Sequence, residues 1–140
     1  MNSEQAVFIN GRAQVIEMLQ YMEDEDRNTL LKNIRIRNPI LANELLEKSL
    51  VFENIGKLSD HEIRLVINYV QPTIMGVALK NVNQDLQRRV LGLAQRAFAE
   101  KAYEIMIKSI GNEMTHIRKA QNKILETMVA LNKKKQINLK

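Results

Sequence analysis

The chain has 140 residues and a formal net charge of +5, enough for a substantial core without covalent staples. It contains no cysteine, which excludes disulfides and thiolate chemistry and fits a reducing compartment. Aromatics make up 4%, with five glycines and two prolines, and Leu, Ile, Ala, Met, Lys, Glu and Gln dominate. Apart from the β-branched Ile, these side chains lose little freedom in a helix, so the expectation is an all-α protein.

Residues 1–10 show no period and read as a flexible N-terminus, with no basic-then-apolar pattern of a signal peptide. No apolar run approaches the roughly 20 residues of a membrane span, so no membrane insertion is expected. Asn10-Gly11 opens a first helix carrying Val15, Ile16, Leu19 and Met22 at one-face spacing. The acidic run Glu23-Asp24-Glu25-Asp26 follows. It lacks the glycine and late glutamate of an EF-hand. It reads instead as the N-terminus of a helix whose far end bears Lys32, Arg35 and Arg37, each sign opposing the macrodipole. Leu30, Leu31 and Ile34 form its buried face.

Asn38-Pro39 marks the next start: Asn38 caps, and Pro39 sits where its missing N–H does no harm. That helix runs to Lys48 and turns Ile40, Leu41, Leu45 and Leu46 inward. Residues 11–48 thus form a three-helix unit resembling an armadillo repeat, too small to bury all its apolar surface alone. Leu30, Ile34, Leu41 and Leu45 are its candidate partner-docking positions. Leu50, Val51, Phe52 and Ile55 make an apolar knot ended by Gly56, within a connection spanning 49–58.

Ser59-Asp60-His61-Glu62 is a capping box, ahead of inward-facing Ile63, Val66, Ile67 and Val70. Pro72 opens a helix burying Ile74, Met75, Ala78, Leu79 and Val82. Asn83 caps another, with Leu86, Val90, Leu91 and Ala94. Arg96 to Ile110 forms a helix with Phe98, Ala102, Ile105 and Met106 on one stripe and Arg96, Glu100, Lys101, Glu104 and Lys108 opposite. Gly111 is its expected stop. Thr115 caps a last helix that buries Ile117, Ala120, Ile124, Met128 and Leu131. Lys133-Lys134-Lys135 completes its C-terminal end, and residues 134–140 read as a tail. Residues 59–133 would form a helical bundle.

No catalytic set emerges. His61 and His116 lie far apart, and no HExxH, GxGxxG, P-loop or GxSxG pattern occurs. No enzyme activity, cofactor or metal is expected. Lys80, Arg88, Arg89 and Arg96 could meet phosphates, but acids are interspersed and few aromatics are left for stacking, so nucleic acid is not expected.

From Gly11 onward the order of features resembles the C-terminal part of the flagellar motor switch protein FliG. Leu50-Val51-Phe52-Glu53-Asn54-Ile55 resembles that family's phenylalanine-containing hinge. Leu58-Ser59-Asp60-His61-Glu62-Ile63 is similar to its L-D-D-R-x-I-Q, Ala78-Leu79-Lys80 to its A-L-K-G, and Ala120-Gln121-Asn122-Lys123-Ile124 to its E-A-Q-x-x-I. The resemblance implies a right-handed armadillo-like superhelix: a three-helix unit, a hinge at Val51, Phe52 and Gly56, then the bundle. It implies a rotor protein, cytoplasmic and peripheral at the flagellar basal body. Its partners would be full-length FliG or other switch-complex proteins, and a stator cytoplasmic loop facing Lys80, Arg96 and Glu104. Oligomeric state is left open. Three positions depart from the family's charge pattern: Ala97 and Ile105 lack a charge, and Glu113 reverses one. Those departures leave room for an adaptor or assembly regulator working outside the motor.

Overall fold

The computed structural model describes residues 13–139, and among them no strand occurs. The expected flexible stretch 1–10 and the Asn10-Gly11 helix start lie outside the described residues. The chain divides into two compact units, with the break between Val51 and Phe52.

The first unit holds α1 (residues 13–21), α2 (Asp24–Arg37) and α3 (Pro39–Ser49). Asp24, Glu25 and Asp26 occupy the first turn of α2, and Arg35 and Arg37 the last, as the macrodipole favours. Arg27 closes the turn between α1 and α2. Its Nε donates to the Leu19 carbonyl at 2.7 Å and its Nη2 to that of Met22 at 2.8 Å. The Asn38 side chain accepts from the Leu41 amide at 3.1 Å, so the Asn-Pro start forms as read. Leu19, Leu31 and Leu45 are the fully buried centre, surrounded by half-buried Leu30, Ile34, Leu41 and Leu46. Ile40 does not turn inward: it is 73% exposed, and Ala42 takes the buried position of that turn.

The second unit opens with a 3-10 turn, Phe52–Lys57, which buries Phe52 and Ile55. Gly56 lies inside this turn rather than ending it, and Val51 is exposed instead of joining the knot. Then come α4 (Asp60–Asn68), α5 (Pro72–Ala78) with a 3-10 extension Leu79–Asn81, α6 (Gln84–Leu93), α7 (Arg96–Ile107) and α8 (Glu113–Lys133). Both halves of the Ser59/Glu62 capping box are made, at 3.2 and 2.9 Å. Asn83 caps α6 by accepting from the Leu86 amide at 2.8 Å. The core is Ile63, Val66, Met75, Leu79, Val90, Ile117, Ile124 and Met128, all fully buried. Burying each such side chain stabilises the fold by about 1.5–3 kcal/mol.

Two helix ends differ from the expectation. α7 stops at Ile107, short of Ile110 and Gly111. α8 starts at Glu113, behind a left-handed Asn112 (φ 52°) that makes no side-chain cap, so Thr115 lies inside the helix. The tail is also ordered. Ile137 and Leu139 are buried, the Asn138 amide donates to Glu62 Oε2 at 2.6 Å, and the Leu139 amide to Asn132 Oδ1 at 3.0 Å.

Candidate functional site

α7 is placed by its contact with α5. A Cβ added at Gly76 would lie 2.5 Å from the Ala102 carbonyl oxygen and 2.8 Å from Ile105 Cβ. Only a glycine lets the two backbones approach this closely. The contact turns Ala102 and Ile105 toward α5 and leaves the opposite side of α7 free. That side carries Arg96, Glu100, Tyr103, Glu104 and Ile107, all exposed and spaced at three or four residues. The Arg96 side chain is 92% exposed and donates from Nε to Glu100 Oε1 at 2.8 Å. Such a surface pair is worth a few tenths of a kcal/mol, so either member is free to re-pair with a partner.

Arg96 and Glu104 are therefore both exposed on α7. Lys80 is not. Its side chain is only 4% exposed. The ammonium donates to the Met106 carbonyl at 3.1 Å and to the Lys108 carbonyl, and lies 3.9 Å from a Glu113 carboxylate oxygen. It is a cap for the C-terminus of α7, delivered from a residue far away in sequence. A cation at this end of a helix also opposes the dipole. The same geometry accounts for two departures in charge pattern. Glu113 complements the Lys80 cation beside it. Position 105 faces α5, where a carboxylate would lose solvation without a partner. Ala97 is exposed, and nothing in the structure explains its lack of charge.

Arg89, one of the four basic residues that suggested a phosphate surface, is also held internally. It donates to the carbonyls of Gly56 and Leu58 at 2.6 and 2.7 Å and to Asp60 Oδ1 at 3.0 Å. It thereby ties α6 to the turn that opens the unit. Of the remaining two, Arg96 stands on α7 and Arg88 is exposed on α6. His61 and His116 are both exposed in first helical turns, and no group of acids and histidines among the described residues could hold a metal.

In the first unit, Leu45 is fully in the core, and Leu30, Ile34 and Leu41 pack around it. Among the described residues of this unit, the large apolar side chains left at the surface are Met18, Tyr21, Ile36, Ile40 and Val51. Sequence reasoning also missed Tyr103 and Ile107 on α7. Their spacing of three and seven from Glu100 carried the signal, because it places them on the charged face rather than the buried stripe.

A sequence model of the FliG C-terminal domain matches residues 32–139. The chain belongs to that family. FliG of Aquifex aeolicus, a flagellar motor switch protein, is 26% identical over 125 residues, which cover 89% of this chain and 38% of the relative. FliG of Borreliella burgdorferi is 23% identical over 137 residues, covering 98% of this chain and 40% of its own. The chain thus spans about two-fifths of the length of these FliG relatives. A crystal structure of a FliG segment from Helicobacter pylori superposes with a TM-score of 0.73 at 27% identity, covering 92% of this chain and 56% of that one. Full-length FliG from Aquifex aeolicus gives 0.57 at 26% identity, over 86% of this chain and 38% of its own. These FliG structures share the all-α class of this chain.

Proposed function

We propose that the chain is a non-enzymatic interaction protein of the flagellar motor switch. It docks on rotor components, full-length FliG or another switch-complex protein, and presents the exposed face of α7 to a stator cytoplasmic loop. The observation that carries this reading is the family match across residues 32–139. It is supported by a face of α7 bearing Arg96 and Glu104, which are exposed and held by no more than a surface pair. Lys80 has no direct part in that contact. It acts by fixing the end of α7. For the first unit we place docking among its exposed apolar side chains, such as Met18, Tyr21, Ile36 and Ile40, rather than at Leu30, Ile34, Leu41 and Leu45, which pack in its core. The protein works at the cytoplasmic side of the basal body, and the backbone around Val51 and Phe52, where the two units divide, is the hinge.

Two measurements test this. A fluorescently tagged copy should appear at flagellar bases, and an Arg96→Glu, Glu104→Lys variant should still localise there but impair swimming. The uncharged, exposed Ala97 favours a second reading, an adaptor or assembly regulator outside the motor. A diffuse or differently placed tagged copy, with normal motility in a deletion strain, would select it.

A further inference from the structure

A groove of about 460 Å³ opens in the second unit between α5, α8 and the connection that precedes α8. Its apolar lining includes Ile74 and Val77 of α5 and Ile110 of the connection. Its other wall is a row of nitrogen-bearing side chains from α8, His116, Lys119 and Lys123, spaced at three and four residues. No acidic residue lines the groove. Neither lysine pairs with a carboxylate among the described residues, and both are exposed. Both lysines border the apolar concavity.

From this pairing of an apolar floor with an unneutralised cationic wall we infer that the groove receives an acidic peptide segment of a partner protein. The segment would seat one apolar side chain against Ile74, Val77 and Ile110 and set flanking carboxylates against Lys119 and Lys123. The volume suits one or two large side chains rather than a folded surface. Charge complementarity would speed encounter and reject basic segments. The inference goes beyond the role proposed for α7 and does not depend on it.

The test is a fluorescence-anisotropy titration of the full chain with a labelled synthetic peptide carrying one leucine flanked by glutamates. Saturable binding is expected, weakening as salt rises. K119E/K123E should weaken it by about tenfold or more, since two attractive contacts become repulsive. Both sites are exposed, so the variant keeps its fold, which circular dichroism checks. Replacing the peptide leucine by serine should also weaken binding. Adding a side chain by Gly111→Leu, where a new Cβ meets nothing within 4 Å, should narrow the mouth and weaken binding without changing its salt dependence. E104K, on α7, should bind as the parent does, which separates this inference from the stator-facing one. Equal binding by K119E/K123E, or indifference to the peptide leucine, overturns the proposal. So does tighter binding to phosphatidylserine vesicles or to single-stranded RNA than to the peptide.

Discussion

Replacing Lys80 by Met removes the ammonium while keeping an unbranched apolar stem in the space it fills. The stem is buried, so packing changes little. What is lost is the charged donor to the Met106 and Lys108 carbonyls at the end of α7. A hydrogen bond to a charged group contributes about 1.5–3 kcal/mol. A cation at a helix C-terminus adds about 0.3–1 kcal/mol. Water can reach the exposed Lys108 and offset part of the loss there. The expected cost is therefore about 2–3 kcal/mol, against a total stability of about 5–15 kcal/mol for a domain. The ion pair with Glu113 contributes little of this, being 3.9 Å long with a carboxylate 45% exposed. Urea denaturation followed by circular dichroism should show Lys80→Met far less stable than Arg96→Met, and Glu113→Gln within about 0.5 kcal/mol of the parent. Amides in the last turn of α7 should also exchange faster. If Lys80→Met is as stable as Arg96→Met, the lysine is an ordinary surface charge and the capping argument is wrong.

Other substitutions probe the rest of the frame. Gly76→Ala should destabilise by about 1–3 kcal/mol, because the new methyl meets the α7 backbone. Gly92→Ala, on an open face of α6, should stabilise by about 0.5–1 kcal/mol, and thermal melts of the pair should move in opposite directions. Arg89→Ala should cost about 1.5–3 kcal/mol, and Arg89→Lys should recover only part, since one ammonium cannot match the two-pronged guanidinium; denaturation midpoints will show it. The Glu62 carboxyl sits below its ordinary value of 4.5, chiefly because it accepts from the Ser59 amide and also from that of Asn138, against opposition from burial. The ionised form is thus the one the fold favours. Its contribution is full above about pH 4.5 and falls away as pH drops through the lowered folded value. Glu62→Gln should flatten that part of the stability–pH curve, measured by melts between pH 3 and 7.

Helix starts were legible because their chemistry is local. Asn38-Pro39, Ser59 with Glu62, Gln71-Pro72 and Asn83 each place a capping or φ-fixing residue within three positions of the turn it serves. The end of α7 was not legible, because the group that satisfies its carbonyls is Lys80, 26 and 28 positions upstream. The start of α8 was missed for a related reason: Asn112 takes a left-handed backbone and offers no side-chain cap to read. Ile137 and Leu139 alternate too briefly to signal burial, and the acceptor that holds the Asn138 amide between them is again distant. The candidate site shows the same division. Arg96 and Glu104 lie on a face that periodicity defines, so their exposure could be read. Lys80 could be read as a charge but not as a buried one, since its fate depends on where α7 comes to rest. Ile40 and Ile36 look like core residues by type, and only the packing of three short helices shows that the core fills without them.

Glu62 joins two places that are 76 positions apart in the chain. One carboxylate completes the cap that begins α4 and pins the segment after α8. Peeling the last residues away therefore frees a charge at the first full helix of the unit, and unwinding that helix releases the tail. Fraying from the two ends becomes a single event with a shared threshold. Hydrogen exchange at the Ser59 and Asn138 amides should accordingly report one opening free energy.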